Sequence, residues 1–167
     1  VVGTVMANYG LEVFLKKLGL NLIRTKVGDR YIIDQMRTGK HFLGGEPSGH
    51  IIFSKSRTTG DGTLAALKTI EAMKLFNKSL KELVADIELY PQTMINVKLK
   101  SRKELEEVPE LQKAIKDAEA KLKGTGRVLL RYSGTEPLLR VMVEGQDSKL
   151  VDNLANELAS VVRTYLV

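Results

Sequence analysis

The sequence feature that most constrains the fold is a pair of apolar segments separated by only five residues. These segments are GRVLLRY at residues 126–132 and LLRVMVEG at residues 138–145, and the residues between them are SGTEP. Both segments are rich in the β-branched and large apolar residues that favour strands. A connection this short predicts a hairpin, because a parallel strand would require a much longer crossover.

The residues around this hairpin predict a small α+β domain with its own core, over residues 89–167. The segment QTMINVKLK alternates as a half-buried strand does, and its polar members are Asn96, Lys98 and Lys100. A charged stretch at residues 101–110 leads into a helix that Gly124 and Gly126 are expected to end. After the hairpin comes one more helix, so the predicted order of elements is β-α-β-β-α.

Residues 1–88 predict a different arrangement, in which strands and helices alternate. Strand patterns such as VVGTVM and NLIRTKV are separated by helical patterns, and Asp29 is expected to cap the second helix. Residues 63–76 predict an amphipathic helix whose apolar face includes Leu64, Leu67 and Ile70. Such alternation is typical of an α/β layer with partly parallel strands. Because VVGTVM reads as a strand from its first residue, we expect the sequence to be a piece of a longer protein.

Composition excludes several classes of function. No apolar run approaches the roughly 20 residues of a membrane-spanning helix. Cysteine is absent, which excludes disulfides and thiolate metal sites and is compatible with the cytoplasm. The net charge is +6, but Lys and Arg are scattered among Asp and Glu and Trp is absent, which disfavours nucleic-acid binding. A modest basic excess also suits an anionic small molecule.

The segment RYSGTEPLLR has the features of a phosphate-binding loop. Ser133, Gly134 and Thr135 offer hydroxyl and backbone N–H donors in a tight turn, where glycine permits close approach of a ligand. Arg131 and Arg140 bracket the turn, and guanidinium groups pair with phosphate oxygens in bidentate fashion. The alternative is a solvated hairpin turn, since Ser, Gly and Pro are ordinary turn residues.

The glycine-rich segment GGEPSGH has the features of a sugar-binding loop. Glu46 and Ser48 would point to the same side of an extended backbone, where a carboxylate and a hydroxyl can both hydrogen-bond vicinal sugar hydroxyls. His50 follows the same alternation and could donate to an oxygen or carry a proton, although a structural histidine is the alternative.

A weaker candidate lies in KVGDR, where Lys26, Asp29 and Arg30 surround a strand-to-helix junction. The backbone N–H groups at the start of a helix favour an anion there. The alternative is a helix cap with solvated neighbours.

In these segments the sequence resembles the α-D-phosphohexomutase superfamily, most closely the branch that acts on glucosamine phosphates. The matching pieces occur in the order of the family and cover nearly the whole chain: VVGTVMANYGLE, KVGDRYI, LGGEPSGHIIF, TTGDGTLAAL, YPQTMINVKL and RYSGTEPLLRVMVEG. Members of the family have four domains around one cleft. The resemblance implies that this chain is the third domain, with its start truncated, followed by the complete fourth domain.

The resemblance also implies a function for the intact parent protein, the interconversion of glucosamine 6-phosphate and glucosamine 1-phosphate. A phosphoserine of the first domain would exchange phosphoryl groups with the sugar through a bisphosphate, assisted by Mg²⁺ held in the second domain. Glu46, Ser48 and His50 would then bind the sugar, whereas Arg131, Ser133, Gly134, Thr135 and Arg140 would bind the phosphate that is not transferred. Lys26, Asp29 and Arg30 would lie near the reacting oxygen. The product would feed UDP-N-acetylglucosamine synthesis.

Two departures from the family pattern bear on the function. The phosphoserine loop and the aspartate-rich metal loop do not occur in this sequence, so we expect the chain alone to be inactive and to depend on the rest of the parent chain. Pro47 stands where glutamine is usual in the glucosamine-phosphate branch, which leaves phosphomannomutase or phosphoglucomutase activity open. A non-catalytic phosphosugar-binding module and a homodimer also stay open.

Overall fold

The computed structural model describes residues 1–100 and 103–167, which form two compact units. The first unit is Val1–Leu89 and the second is Tyr90–Val167. Within the described residues, no helix combines the length and the apolar character that crossing a membrane requires. Each unit has a sheet of its own, so the two are described in turn.

The first unit is built on a four-stranded mixed sheet, as the alternation of strands and helices predicts. The strand order is β2-β1-β3-β4, in which β1 is parallel to β2 and β3 whereas β3 and β4 are antiparallel. In chain order the elements are β1 (Val2–Thr4), α1 (Tyr9–Lys17), β2 (Ile23–Thr25), α2 (Asp29–Thr38), β3 (Leu43–Gly45), β4 (Ile51–Phe53), α3 (Gly62–Phe76) and α4 (Leu80–Leu83).

Helix α2 packs closely on this sheet because β3 carries a glycine beneath it. A Cβ atom at Gly44 would lie 2.5 Å from the sulfur of Met36 and 2.7 Å from Cγ2 of Ile32. Both of these α2 side chains are buried in a core that also contains Val2 and Ile52. The close approach therefore brings the start of α2 to the turn between β3 and β4.

Helix α3 forms as its sequence predicts, but its apolar face is not buried in this chain. Asp61 caps the helix by accepting a hydrogen bond from the N–H of Leu64. Leu67 and Ile70 are exposed by 60% and 50%, and Ala65 is the buried residue of the helix. The apolar face stays exposed because α3 contacts little more than β4 and α4 within the described residues.

The second unit has the predicted β-α-β-β-α order, with all strands antiparallel in the order β5-β7-β6. Residues 101 and 102 of the charged stretch lie outside the described residues. A short 3-10 turn at Leu105–Glu107 precedes the first helix. The other elements are β5 (Gln92–Lys98), α5 (Pro109–Leu122), β6 (Gly126–Tyr132), β7 (Leu138–Gly145) and α6 (Ser148–Leu166).

Both helices of the second unit cover one face of its sheet. The core contains Leu139, Val141 and Val143 of β7 together with buried residues of α5 and α6. Since neighbouring side chains of a strand point to opposite faces, Leu138, Arg140, Met142 and Glu144 lie on the other face. The register of the sheet is therefore tied to the packing of the helices.

The end of α5 differs from the expectation for Gly124 and Gly126. The helix ends at Leu122 because Lys123 adopts the left-handed conformation, with φ 49°, and Gly124 follows with φ 75°. Gly126 instead begins β6, where a Cβ atom would lie 2.2 Å from the carbonyl oxygen of Glu144. Glycine is required there by the close approach of β7.

We expect Leu139→Ala to lower the free energy of unfolding of the second unit by about 2–5 kcal/mol, because the side chain is fully buried and its loss leaves a cavity. Urea denaturation followed by circular dichroism measures this loss. The matched control is Val167→Ala in the same unit, where the valine is 51% exposed and the change should stay within about 0.5 kcal/mol. Equal losses in the two variants would contradict the assigned core.

Candidate functional site

The hairpin register places two arginines side by side on the sheet face that the helices leave uncovered. Arg131 of β6 lies directly opposite Arg140 of β7. Side chains in this relation have Cβ atoms about 4.5–5.5 Å apart, and like charges so placed destabilise a sheet. The segment RYSGTEPLLR thus brings together two arginines that are nine residues apart in the sequence.

The arginine pair carries buried N–H donors that no described residue accepts. The Nε atoms of Arg131 and Arg140 are buried and have no hydrogen-bond partner among residues 1–100 and 103–167. Burial lowers the pKa of Arg131 from its ordinary value, and the charge of Arg140 lowers it further. An anion bound over the pair would relieve both effects, because it would supply acceptors and opposite charge.

The turn between these strands is shaped from within by Ser133. Its side chain is buried, and its Oγ atom accepts from the N–H groups of Thr135 at 3.4 Å and Glu136 at 3.3 Å. These two N–H groups are therefore directed to Ser133 in this structure. Gly134 and Thr135 are exposed, and a Cβ atom at Gly134 would have open space around it.

A second set of predicted residues meets at the start of α2. The N–H of Gly28 donates to Oε1 of Glu46 at 2.8 Å, and the hydroxyl of Ser48 donates to Oε2 at 3.2 Å. Glu46 and Ser48 come together through a turn rather than through an extended backbone, since the N–H of Gly49 donates to the carbonyl of Glu46. The carboxylate is thus held at both oxygens and keeps lone pairs to accept from a ligand.

His50 and Asp29 form a second link between the same two segments. Nδ1 of His50 lies 3.0 Å from Oδ2 of Asp29. Asp29 is the first residue of α2 and not its cap as expected, because Gly28 occupies the cap position with φ 125°. A carboxylate bound at Nδ1 orients the imidazole ring and leaves Nε2 directed away from Asp29.

Lys26 and Arg30 lie at the same strand-to-helix junction, but they group around Tyr31. The guanidinium of Arg30 donates to the Tyr31 hydroxyl at 2.5 Å and stacks 4.5 Å from the ring centre. The hydrogen bond from Arg30 lowers the pKa of Tyr31, and the charge of Lys26 adds to this effect. The sequence alone does not indicate a role for Tyr31 or Gly28, because each role depends on a contact that forms only in the fold.

The described residues contain no group of three or more His, Cys, Asp or Glu side chains that could hold a metal ion. The two sets of predicted residues are built from hydrogen-bond donors, acceptors and cations. The set in the first unit can hydrogen-bond hydroxyl groups, and the arginine pair of the second unit can pair with an anion.

Two family models match the chain, one for each unit. The first is described as "Phosphoglucomutase/phosphomannomutase, alpha/beta/alpha domain III" and matches residues 1–90. The second is described as "Phosphoglucomutase/phosphomannomutase, C-terminal domain" and matches residues 94–161. The resemblance inferred from the sequence motifs is confirmed by these matches.

Curated relatives match nearly the whole chain. A protein of Citrifermentans bemidjiense named phosphoglucosamine mutase is 49% identical over 166 residues, which are 99% of this chain and 37% of that protein. A protein of Solidesulfovibrio magneticus with the same name is 52% identical over the same shares. The chain thus spans a little over a third of the length of these relatives.

Solved structures share the fold at low sequence identity. The Aspergillus fumigatus N-acetylphosphoglucosamine mutase in complex with GlcNAc-6P and magnesium has a TM-score of 0.81 and 22% identity, over 99% of this chain and 39% of that one. An N-acetylglucosamine-phosphate mutase in its product complex has a TM-score of 0.75 and 18% identity, over 96% and 38%. These similarities confirm the predicted fold class.

We expect Gly28→Ala to destabilise the first unit by about 1–3 kcal/mol, because φ 125° is strained for any residue with a Cβ atom. Urea denaturation measures the change. Gly62→Ala is the control, since Gly62 has ordinary backbone angles and open space for a Cβ atom, and its stability should be unchanged or slightly raised. If both variants behaved alike, Gly28 would not be required for the geometry that anchors Glu46.

Proposed function

We propose a function for this chain on the basis that it belongs to the phosphoglucomutase/phosphomannomutase family. The chain is the C-terminal part of a phosphoglucosamine mutase, whose intact form interconverts glucosamine 6-phosphate and glucosamine 1-phosphate. The name of the relatives at about 50% identity supports this substrate. Within the parent, this chain binds the substrate rather than transferring the phosphoryl group.

The observation that carries this proposal is the pair Arg131 and Arg140. Two guanidinium groups directly across a strand pair, each with a buried Nε atom that lacks a partner among the described residues, are a costly arrangement in an unliganded sheet. A phosphate dianion compensates the cost because its oxygens accept from both groups. The ligand phosphate held here is the one that is not transferred.

The shape of the neighbouring turn supports the same role. Ser133 fixes the turn through its own hydrogen bonds, so Gly134 and Thr135 stay exposed beside the arginines. In this proposal the N–H of Gly134 and the hydroxyl of Thr135 donate to the phosphate. Ser133 acts as a positioning residue for the turn, since its Oγ atom accepts from the turn itself.

The sugar is bound by the segment that contains Glu46 and Ser48. Because the N–H of Gly28 and the Ser48 hydroxyl orient the Glu46 carboxylate, its free lone pairs can accept from two neighbouring sugar hydroxyls. His50, oriented by Asp29, contacts the ligand through Nε2. Lys26 and Arg30 flank this region and supply positive charge near the phosphate that is transferred.

The transfer itself requires parts of the parent that lie outside these 167 residues. We place the phosphoserine that exchanges phosphoryl groups, and the Mg²⁺ that assists it, in those parts. The residues described do not fit a Mg²⁺ site, because they offer no cluster of carboxylates. No step of the reaction is therefore assigned to a residue of this chain.

We expect Arg131→Ala to raise the dissociation constant of the chain for glucosamine 6-phosphate about tenfold or more, because a hydrogen bond to a charged group contributes about 1.5–3 kcal/mol. Isothermal titration calorimetry measures the change. Arg163→Ala removes an exposed arginine of α6 and should leave the dissociation constant unaltered. An equal affinity in Arg131→Ala would refute the phosphate site.

We also expect the intact parent to interconvert glucosamine 6-phosphate and glucosamine 1-phosphate in the presence of Mg²⁺, whereas the 167-residue chain alone does not. A coupled assay with glucosamine, glucose and mannose phosphates measures the preference. Higher kcat/KM with glucose or mannose phosphates would reassign the substrate within the family, as Pro47 leaves open. Activity with none of the three would overturn the enzymatic proposal.

A further inference from the structure

The sheet face of the second unit that lies opposite the helices carries polar residues of a third strand beside the two arginines. Asn96 of β5 lies directly opposite Arg140, which in turn lies opposite Arg131. These three side chains form one row across the sheet, because residues directly opposite in antiparallel strands point to the same face. Asn96 is exposed, so its amide is available to a ligand.

The neighbouring row toward the turn adds a third cation. Lys98 of β5 is paired with Leu138 of β7, whose carbonyl accepts from the N–H of Ser133. Lys98 therefore lies one row closer to the turn than Asn96, on the same face. Its side chain is exposed and long enough to reach over the arginine pair.

The charge of these two rows is entirely positive. Their members are Asn96, Arg140 and Arg131 in one row and Lys98, Leu138 and Ser133 in the other. Farther along the same face, Glu144 forms a salt bridge with Arg127, whose Nε donates to the carboxylate at 2.8 Å. Glu136 of the turn is exposed. Three cations gathered within two rows favour an anion with more than one charge.

We propose that β5 supplies two further ligand-contacting residues, with Lys98 bound to the phosphate and Asn96 bound to the sugar beside it. This inference rests on the proposed function of the arginine pair. Adjacent strands lie about 4.8 Å apart, so Asn96 lies beyond a phosphate that is centred between Arg131 and Arg140. Asn96 therefore faces the sugar to which that phosphate is attached. An amide suits that position, since it both donates to and accepts from hydroxyls.

The two residues therefore have separable effects. Loss of Lys98 weakens the binding of inorganic phosphate and of glucosamine 6-phosphate, because both present the same anionic group. Loss of Asn96 weakens the binding of glucosamine 6-phosphate alone, because inorganic phosphate carries no sugar. A purely structural role for either residue would not produce this difference between two ligands.

The test is a titration of the 167-residue chain with inorganic phosphate and, separately, with glucosamine 6-phosphate, followed by NMR at the Gly134 amide. Lys98→Ala should raise both dissociation constants about tenfold, and Asn96→Ala should raise only that of glucosamine 6-phosphate, by about threefold to tenfold. The controls are Gln92→Ala, on the same strand face but opposite Glu144, and Lys116→Ala, on the exposed side of α5. Both controls should bind like the unsubstituted chain.

The outcomes separate this inference from the function on which it rests. If both β5 variants bound both ligands normally while Arg131→Ala lost binding, β5 would be excluded and the phosphate site would stand. If Asn96→Ala weakened both ligands equally, its contact with the sugar would be overturned. If Arg131→Ala bound normally, or the unsubstituted chain bound neither ligand at millimolar concentration, the phosphate site itself would fail.

Discussion

The register between β6 and β7 is the constraint on which the second unit depends. It places Arg131 opposite Arg140 on one face while Leu139 and Val141 enter the core on the other. A slip by one residue would send the arginines under the helices and the core leucine into water. The burial of apolar side chains by α5 and α6 therefore holds Arg131 opposite Arg140, and the stability of the core offsets the repulsion between the two positive charges.

In the first unit, two glycines position the side chains of the candidate site. Gly44 lets α2 approach β3 closely, and Gly28 adopts a backbone conformation in which its N–H reaches the Glu46 carboxylate. The start of the helix and the turn after β3 are consequently joined by two links, the second of which is His50 to Asp29. Side chains from segments about 20 residues apart thereby acquire fixed directions. Under the proposed function, this order would reduce the entropy that is lost on binding.

Local pattern predicted most elements because each has a strong periodicity. The strands at 126–132 and 138–145 have the bounds expected from their apolar residues and short connection. Features that depend on distant residues were not predictable in this way: the place of Asn96 depends on strand order, and the anchoring of Glu46 depends on Gly28. The sequence also does not reveal that the Oγ atom of Ser133 accepts from N–H groups of its own turn.

Helix α3 shows how an element can be correctly placed and still be incompletely packed. Leu67, Ile70, Leu75 and Phe76 remain at least half exposed on a helix whose sequence is strongly apolar. Apolar surface of this kind favours self-association in water. Ligand titrations of the chain therefore belong at low protein concentration, where aggregation through this helix does not compete with binding and the apparent affinity reports on the site.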